Sequence, residues 1–309
     1  MAADTIEFIA FPGTGNITHF IAEDKGLYAK EGVQVNFTLT PNSIFQITET
    51  VKGRFHVAST AVDNVVAYQE GQGAAPLDRT PDLFVFMGGG QIDLPLVVAP
   101  EIKSYADLKG KPLAVDALTT GFAFVLYKML EKGGLSRSDY KLVSVGGTDK
   151  RWESVKAGQQ AGSLMNDPFT GFALAAGFRV LQTHTDILPH YQVGSYAASR
   201  AWAAANKGKV AGFIRAQIAA VDWLHDPANR AEAANVLTRH MPQLAAPAAK
   251  AAVEKVARTG FAKGGALDME GVRTVLELRS EYGEPKKRLA DPNKYVDLSY
   301  LEAARSRRG

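Results

Sequence analysis

The chain has 309 residues, 46% hydrophobic and 22% charged, which suits two soluble globular domains rather than a membrane or disordered protein. Its 35 basic and 32 acidic residues give a formal net charge of +3, so the charge gives no argument for a nucleic acid partner. It has no cysteine, which excludes disulfides, thiolate metal ligands and cysteine nucleophiles.

Segments typical of strands and helices alternate over the first hundred residues. Residues 33–40 alternate apolar and polar side chains with a period of two and form the clearest strand. This alternating order predicts an α/β fold with a largely parallel, doubly wound sheet. The predicted strands are residues 5–11, 33–40, 55–58, 83–86 and 94–98. The predicted helices are residues 16–27, 44–52 and 60–69.

The same alternation restarts after Pro100, which predicts a second α/β lobe. Ser104 and Asp107 have the spacing of a capping box. From about residue 201, apolar residues recur at three- and four-residue spacing, which predicts a helical C-terminal part. The predicted strands of the second lobe are residues 111–116, 141–145, 161–166 and 178–181. Its predicted helices are residues 122–131, 152–157 and 169–176.

Four strand-to-helix loops are rich in glycine, hydroxyl, amide and carboxylate side chains. Each loop alone is typical of helix capping: Asn16 can cap the first helix, Thr60 and Asp63 have capping-box spacing, and Asn166 precedes Pro168. Because ligands of doubly wound sheets bind where such loops meet, the four together indicate a ligand-binding site. Their candidate residues are Phe11, Gly13, Thr14, Asn16, Ser59, Thr60, Asp63, Asp116, Thr119, Thr120, Gly121, Asn166 and Asp167.

Aromatic side chains adjoin the same loops. Phe11, Phe122 and Phe169 are the candidates for walls that stack against a ligand, since they are next to the loops in the sequence. Gln91 and Tyr191 lie near the expected chain crossings between the lobes and are the remaining candidate ligand-binding residues.

No catalytic constellation is apparent. The six histidines have no metal-ligand spacing, and Ser59, Ser163 and Ser195 lack the surroundings of a nucleophile elbow. We therefore expect no catalytic residue, no metal and no cofactor, and predict a protein that binds its ligand without chemistry.

Four segments resemble motifs of one family, in the same order along the chain. Residues 26–35 read Gly-Leu-Tyr-Ala-Lys-Glu-Gly-Val-Gln-Val, and residues 107–115 read Asp-Leu-Lys-Gly-Lys-Pro-Leu-Ala-Val. Asp167-Pro168-Phe169 is followed by Ala173, and residues 291–297 read Asp-Pro-Asn-Lys-Tyr-Val-Asp. Together they resemble the sulfonate, nitrate and thiamine-precursor binding proteins, the NMT1/THI5-like family of ABC-transporter substrate-binding proteins.

The resemblance implies a type II periplasmic binding protein, with two doubly wound lobes joined by two crossover strands. It places lobe one at residues 4–93 plus 195–309, lobe two at residues 98–188, and hinges near 94–97 and 189–194. The ligand would be a small molecule buried between the lobes, and the partners would be the membrane permease and ATPase of an ABC importer. We expect a monomer that closes by a hinge motion.

The expected localisation is periplasmic, on the assumption that a signal peptide has been removed. Taken literally, the start Met1-Ala2-Ala3-Asp4 has no basic and apolar leader and would indicate a cytoplasmic protein. Two other functions remain open. A pyrimidine-forming enzyme of the same family would use a cysteine-rich motif, which this chain lacks, and a cytoplasmic sensor would carry a DNA-binding helix-turn-helix.

The class of ligand follows from the charges of the loops. Helix N-termini favour an organic anion such as a sulfonate or carboxylate. The loops, however, carry Asp63, Asp116 and Asp167, with Asp93 near a crossing and no arginine or lysine. We therefore predict a neutral or cationic nitrogen heterocycle, such as a pyrimidine or vitamin precursor, and keep the organic anion as the alternative.

Overall fold

The structure, a computed structural model, describes residues 4–78 and 80–306 and contains two sheets of five strands each. Their strand orders are β2-β1-β3-β10-β4 and β7-β6-β8-β5-β9. The predicted α/β class with two doubly wound lobes is confirmed. The strands are β1 (Asp4–Ala10), β2 (Val33–Leu39), β3 (Val57–Ala61), β4 (Leu83–Gly88), β5 (Pro95–Val98), β6 (Pro112–Val115), β7 (Lys141–Ser144), β8 (Gly162–Leu164), β9 (Arg179–Thr183) and β10 (Gly194–Ser199).

Each sheet is parallel at one side and antiparallel at the other. In the first sheet β1 runs parallel to β2 and β3, whereas β10 lies antiparallel between β3 and β4. In the second sheet β6 runs parallel to β7 and β8, and β5 is antiparallel to β8 and β9. Every residue of β4 is buried, as expected for a strand of a sheet covered on both faces.

Helices cover both sheets. The helices are α1 (Ile17–Asp24), α2 (Leu27–Lys30), α3 (Ser43–Val51), α4 (Val62–Gln69), α5 (Gly121–Lys132), α6 (Thr148–Lys156), α7 (Phe169–Ala175), α8 (Arg200–Ala205), α9 (Lys207–His225), α10 (Arg230–His240), α11 (Ala246–Lys255), α12 (Met269–Tyr282) and α13 (Ser299–Ser306). None of those in the described part of the chain is long and apolar enough to cross a membrane.

The single helix predicted over residues 16–27 is wrong in its extent. The first α-helix ends at Asp24, and Gly26 adopts a left-handed conformation with φ of 63°, after which α2 starts separately. Glycine tolerates this conformation because it has no Cβ. The capping box of Ser104 and Asp107 is confirmed, although it opens a short 3-10 turn.

An aromatic cluster joins the C-terminal helices to the first sheet. Phe213 of α9 lies 5.4 Å from the ring centroids of both Phe8 and Tyr196. Phe86 of β4 completes the cluster, at 6.4 Å from Phe213. The N-terminal and C-terminal parts of the chain therefore form one lobe around a shared core.

Two chain segments connect the sheets: residues 89–94 between β4 and β5, and residues 184–193 between β9 and β10. The predicted first hinge, residues 94–97, falls mostly within β5, so the connecting loop lies just before it. The second connection coincides with the predicted residues 189–194 at its end. The exact lobe limits, 4–93 with 195–309 and 98–188, stay a prediction, and residues 307–309 lie outside the described part.

The two connections are hydrogen-bonded to each other. The side-chain amide of Gln91 donates to Gln192 Oε1 over 3.1 Å, and the backbone N–H of Val193 donates to Gln91 Oε1 over 3.0 Å. The backbone N–H of Leu94 donates to His184 Nδ1 over 3.1 Å. Any motion of one lobe relative to the other therefore involves both connections together.

Candidate functional site

A cavity of about 120 Å³ lies between the two sheets, where β1, β3, β6 and β8 end. Its walls are the strand-to-helix loops of both lobes and the two connections, as expected for ligand sites of such sheets. We call it the cleft cavity. Of the candidate residues, Phe11, Gly13, Asn16, Ser59, Thr60, Asp116, Thr120, Gly121, Phe122 and Asn166 line it.

The N-terminus of α5 reaches the cleft cavity from the second lobe. Thr120 caps this helix, because its hydroxyl accepts a hydrogen bond from the backbone N–H of Ala123 at 3.4 Å. Gly121 lies so close to the first lobe that an added Cβ would be 2.4 Å from Asp63 Cγ and 2.6 Å from Tyr191 Oη. Glycine at this position permits the contact between the lobes.

Three of the predicted helix caps are wrong. The amide of Asn16 donates to the backbone carbonyl of Phe11 at 2.8 Å and does not cap α1. Thr60 accepts a hydrogen bond from the amide of Asn64 at 2.9 Å, so it forms no capping box with Asp63. Pro168 occupies the N-cap position of α7, and the Asn166 side chain does not cap this helix. For Asn16 and Thr60, another hydrogen bond to a residue four or five positions away competes with capping.

Asp63 does not line the cleft cavity. Its carboxylate forms two hydrogen bonds with Arg279, from Nε at 2.6 Å and from Nη2 at 2.5 Å, and both side chains are fully buried. Arg279 Nη2 also donates to the backbone carbonyl of Thr119 over 2.6 Å, and Thr119 lines neither cavity described here. These two predicted ligand-binding residues therefore hold the lobes together in this structure.

A second cavity of about 370 Å³ adjoins the first and shares Gly15, Gly90 and Ile92 with it. Lys255, the last residue of α11, lies here between two carboxylates, 2.8 Å from Asp167 Oδ2 and 3.0 Å from Asp93 Oδ2. Burial lowers the pKa of Lys255, but its bonds to Asp167 and Asp93 outweigh burial and raise it. Candidate residues that line this cavity are Thr14, Gln91, Asp167 and Tyr191.

Phe169 lines neither cavity. Its ring packs edge-on against Phe172 at 6.0 Å, in a small apolar cluster with Trp152. Of the three predicted stacking walls, Phe11 and Phe122 remain at the cleft cavity. Phe169 turns inward because α7 must cover one face of the second sheet.

Arg151 of α6 lines the cleft cavity and was not predicted from the sequence. Only 4% of the residue is exposed. Its guanidinium donates to Ser163 Oγ at 3.0 Å and to Thr148 Oγ1 at 2.9 Å, and also to two backbone carbonyls. Burial lowers its pKa, and the negative charges of Asp116 and Asp149 oppose that shift. Sequence reasoning confined to the loops missed it because it lies within a helix.

Asp116 is the carboxylate that the cleft cavity retains. Its Oδ2 accepts hydrogen bonds from the backbone N–H of Ser43, at 3.3 Å, and from the Ser43 hydroxyl. Its Oδ1 is buried and has no hydrogen-bond partner in the described part of the chain, and the same holds for Asn166 Oδ1. Neither oxygen has accessible surface, so a ligand N–H would reach either of them only when the surrounding groups move.

No group of three or more histidine, aspartate or glutamate side chains within residues 4–78 and 80–306 is arranged to hold a metal ion. His19, in the first helix, is packed in the core against Phe37 with its Nδ1 3.0 Å from Tyr28 Oη. Burial is the main cause that lowers its pKa to about 3. This histidine is therefore a core residue and does not line the cleft cavity.

Solved structures share this fold over nearly their whole length. A protein of Bordetella bronchiseptica RB50 has a TM-score of 0.81 at 21% identity, covering 98% of each chain. The periplasmic nitrate-binding protein NrtA from Synechocystis PCC 6803 has a TM-score of 0.84 at 12% identity, over 99% of this chain and 89% of its own. The periplasmic aliphatic sulphonate binding protein SsuA from Escherichia coli has a TM-score of 0.70 at 20% identity, over 95% and 92%.

A comparison with curated proteins gives no significant match. The sequence pattern of the NMT1-like family, in contrast, matches residues 5–238, which is well over half of the chain. The matched region contains both sheets except the first residue of β1, and every residue that lines the cleft cavity. The resemblance seen in the four sequence motifs is thereby confirmed, and the chain belongs to the NMT1-like family.

Proposed function

We propose that this protein is the solute-binding component of an ABC importer, which captures a small organic molecule between its lobes. The observation that carries the proposal is the cleft cavity, built from the ligand-binding ends of two separate sheets and lined by Phe11, Phe122 and Asp116. Family membership supports it, as does the fold shared with proteins described as nitrate-binding and sulphonate-binding.

The contacts across the cleft support a clamp mechanism. The Ser43 backbone and hydroxyl of the first lobe donate to Asp116 of the second, and the Gly147 N–H donates to the Pro41 carbonyl at 3.2 Å. The Thr14 N–H donates to the Asp167 carbonyl at 3.3 Å. These contacts join the two lobes beside the cavity, so we expect them to break and re-form when the lobes open and close around a ligand by a hinge motion.

The prediction of a nitrogen heterocycle depended on unpaired carboxylates in the loops. The ion pairs of the structure leave fewer of them. Asp63 is neutralised by Arg279, and Asp93 and Asp167 share Lys255. Asp116 alone still supports an N–H-bearing heterocycle, whereas Arg151 supports the alternative, an organic anion. The two aromatic walls suit a ring in either case.

Native mass spectrometry of the purified protein tests the proposed function. We expect a small molecule to be carried by the folded protein and to return unchanged after prolonged incubation. A product that accumulates with wild-type protein and disappears with Asp116→Ala would instead support an enzyme of the same fold.

The proposed setting is the periplasm, with a permease and ATPase as partners and the protein as a monomer. Cell fractionation tests the location, and light scattering on the eluted protein tests the oligomeric state. Recovery only from the cytoplasmic fraction would favour the sensor alternative.

A further inference from the structure

The charge of Arg151 has no counter-ion in contact. The four acceptors of its guanidinium are all neutral oxygens, and no carboxylate among the described residues is paired with it. A guanidinium has five N–H groups, and these bonds use four of them, so one N–H of Nη1 remains. Asp116 and Asp149 favour the charged form of Arg151 without touching it, so an anion in direct contact would still stabilise this buried charge.

The helix that carries Arg151 adds to the positive potential. Arg151 is the fourth residue of α6, whose first residue, Thr148, also lines the cleft cavity. Helix N-termini carry a partial positive charge that disfavours a cation in the first turn, and Asp149 in the same turn offsets only one of these charges. The N-terminus of α5, at Thr120 and Gly121, lines the same cavity and acts in the same direction.

Asp116 makes a contrasting region within the same cavity. Its Oδ1 is buried and without a partner in the described residues, although its Oδ2 is held by Ser43. A buried acceptor left without a donor is costly, above all when it is charged, so a ligand N–H that reaches Oδ1 as the lobes close around the ligand would be favoured. A purely anionic ligand would leave this carboxylate unpaired.

We propose that the cleft cavity selects an amphoteric ligand: a small molecule with an acidic group for Arg151 and an N–H donor for Asp116. This inference rests on the proposed function and specifies its ligand. It differs from both a heterocycle without an acidic group and a simple organic anion, because each of those satisfies one end of the cavity only. Phe11 and Phe122 would cover the ring or chain between the two groups.

The test uses matched sets of compounds that differ in one group each. The first set is 3-aminobenzoate, benzoate and aniline; the second is 3-aminobenzenesulfonate, benzenesulfonate and aniline; the third is 4-aminobutyrate, butyrate and butylamine. Dissociation constants are measured by isothermal titration calorimetry on the whole protein. In at least one set, the compound with both groups is expected to bind at least ten-fold more tightly than each of the two compounds that have one group only.

The variant Asp116→Asn tests the assignment of the N–H donor. Its amide oxygen can still accept from Ser43, so the fold is expected to persist, and circular dichroism checks this. The preference for the amine-bearing compound over the plain acid should fall at least ten-fold. The control Asp149→Asn removes a nearby carboxylate that does not line the cavity, and should change the preference less than two-fold.

Equal or tighter binding of the singly functional compounds in every set overturns the inference, as does binding of no compound in any set. An unchanged preference in Asp116→Asn also overturns it. The proposed function fails in a different way: mass spectrometry of the same titration mixtures would show a compound converted to product. The two failures are therefore distinguishable.

Discussion

Arg279 and Asp63 form a bidentate ion pair at the contact between the lobes, with Nε–Oδ1 and Nη2–Oδ2 distances of 2.6 and 2.5 Å. Arg279 lies on α12 and Asp63 on α4, and the same guanidinium donates to the Thr119 carbonyl of the second lobe. Its Cζ also lies 4.6 Å from the centroid of the Phe124 ring. One buried side chain therefore links α4 to the loop that leads into α5.

Arg279→Met is expected to lower the free energy of unfolding by about 3–5 kcal/mol, because it leaves the buried Asp63 carboxylate without a counter-ion. Urea denaturation measures the change. Glu281→Gln is the matched control, since Glu281 lies on the same helix and forms an exposed pair with Lys128. It should cost about 1 kcal/mol or less. Similar losses in the two variants would contradict the importance of the buried pair.

Gly121→Ala is expected to weaken ligand binding at least ten-fold, because its Cβ would overlap Asp63 and Tyr191 and separate the lobes. Small-angle scattering should show a larger radius of gyration than for the wild type. Gly208→Ala, in α9, is the control, since an added Cβ there meets no described atom within 4 Å. Unchanged affinity in Gly121→Ala would show that the lobes tolerate the extra atom.

Lys255→Met is expected to favour the open form, since it removes the cation shared by Asp93 and Asp167 and leaves their repulsion. We predict a several-fold loss of ligand affinity and a larger scattering radius at pH 7. High salt should reduce the difference between variant and wild type, because the pair is partly exposed. Lys250→Met, on the exposed face of the same helix, is the control. Equal effects of the two substitutions would count against a closing contact.

Stability should fall as the pH drops from 7.5 to 5. Burial is the main cause that lowers the pKa of His184 to about 4 and that of His19 to about 3, whereas an unfolded histidine titrates near 6.5. Below 6.5 the unfolded chain therefore binds more protons than the folded one, and the loss at pH 5 is roughly 2 kcal/mol for each histidine.

Thermal unfolding at several pH values measures this dependence. The variant His184→Asn keeps an acceptor for the Leu94 N–H. It should remove only the part of the stability loss that the protonation of His184 causes. A pH profile that is flat between 7.5 and 5 in the wild-type protein would show that these two side chains titrate normally in the fold.

The order of strands and helices in the first 185 residues could be predicted from periodicity and turn residues. The strand β10 was missed because Gly194–Ser199 consists of small residues apart from Tyr196 and has no β-branched pattern. It forms because β3 and β4 offer it hydrogen-bonding edges on both sides. Such a strand is specified by its neighbours and not by its own sequence.

The site was predictable in outline only. Residues such as Phe11, Ser59 and Asp116 could be assigned to the cleft because loops at one end of a sheet meet. The ion-pair partner of Asp63 could not be predicted, since Arg279 is 216 positions away along the chain. The net charge of a cavity lining depends on such distant ion pairs. Counting the carboxylates in the loops therefore overestimated the negative charge of the cleft cavity.

The strand order of the first sheet has a consequence for biosynthesis. Among the strands of the described residues, β4 pairs only with β10, and its other backbone pairing is an isolated bridge between Val85 and Val296 near the C-terminus. Both partners leave the ribosome after the whole second sheet. During synthesis, the strands of the second sheet are therefore complete before those of the first sheet. Until then the apolar strand β4 has no strand to pair with. We expect the chain to be most prone to aggregation at this stage of synthesis.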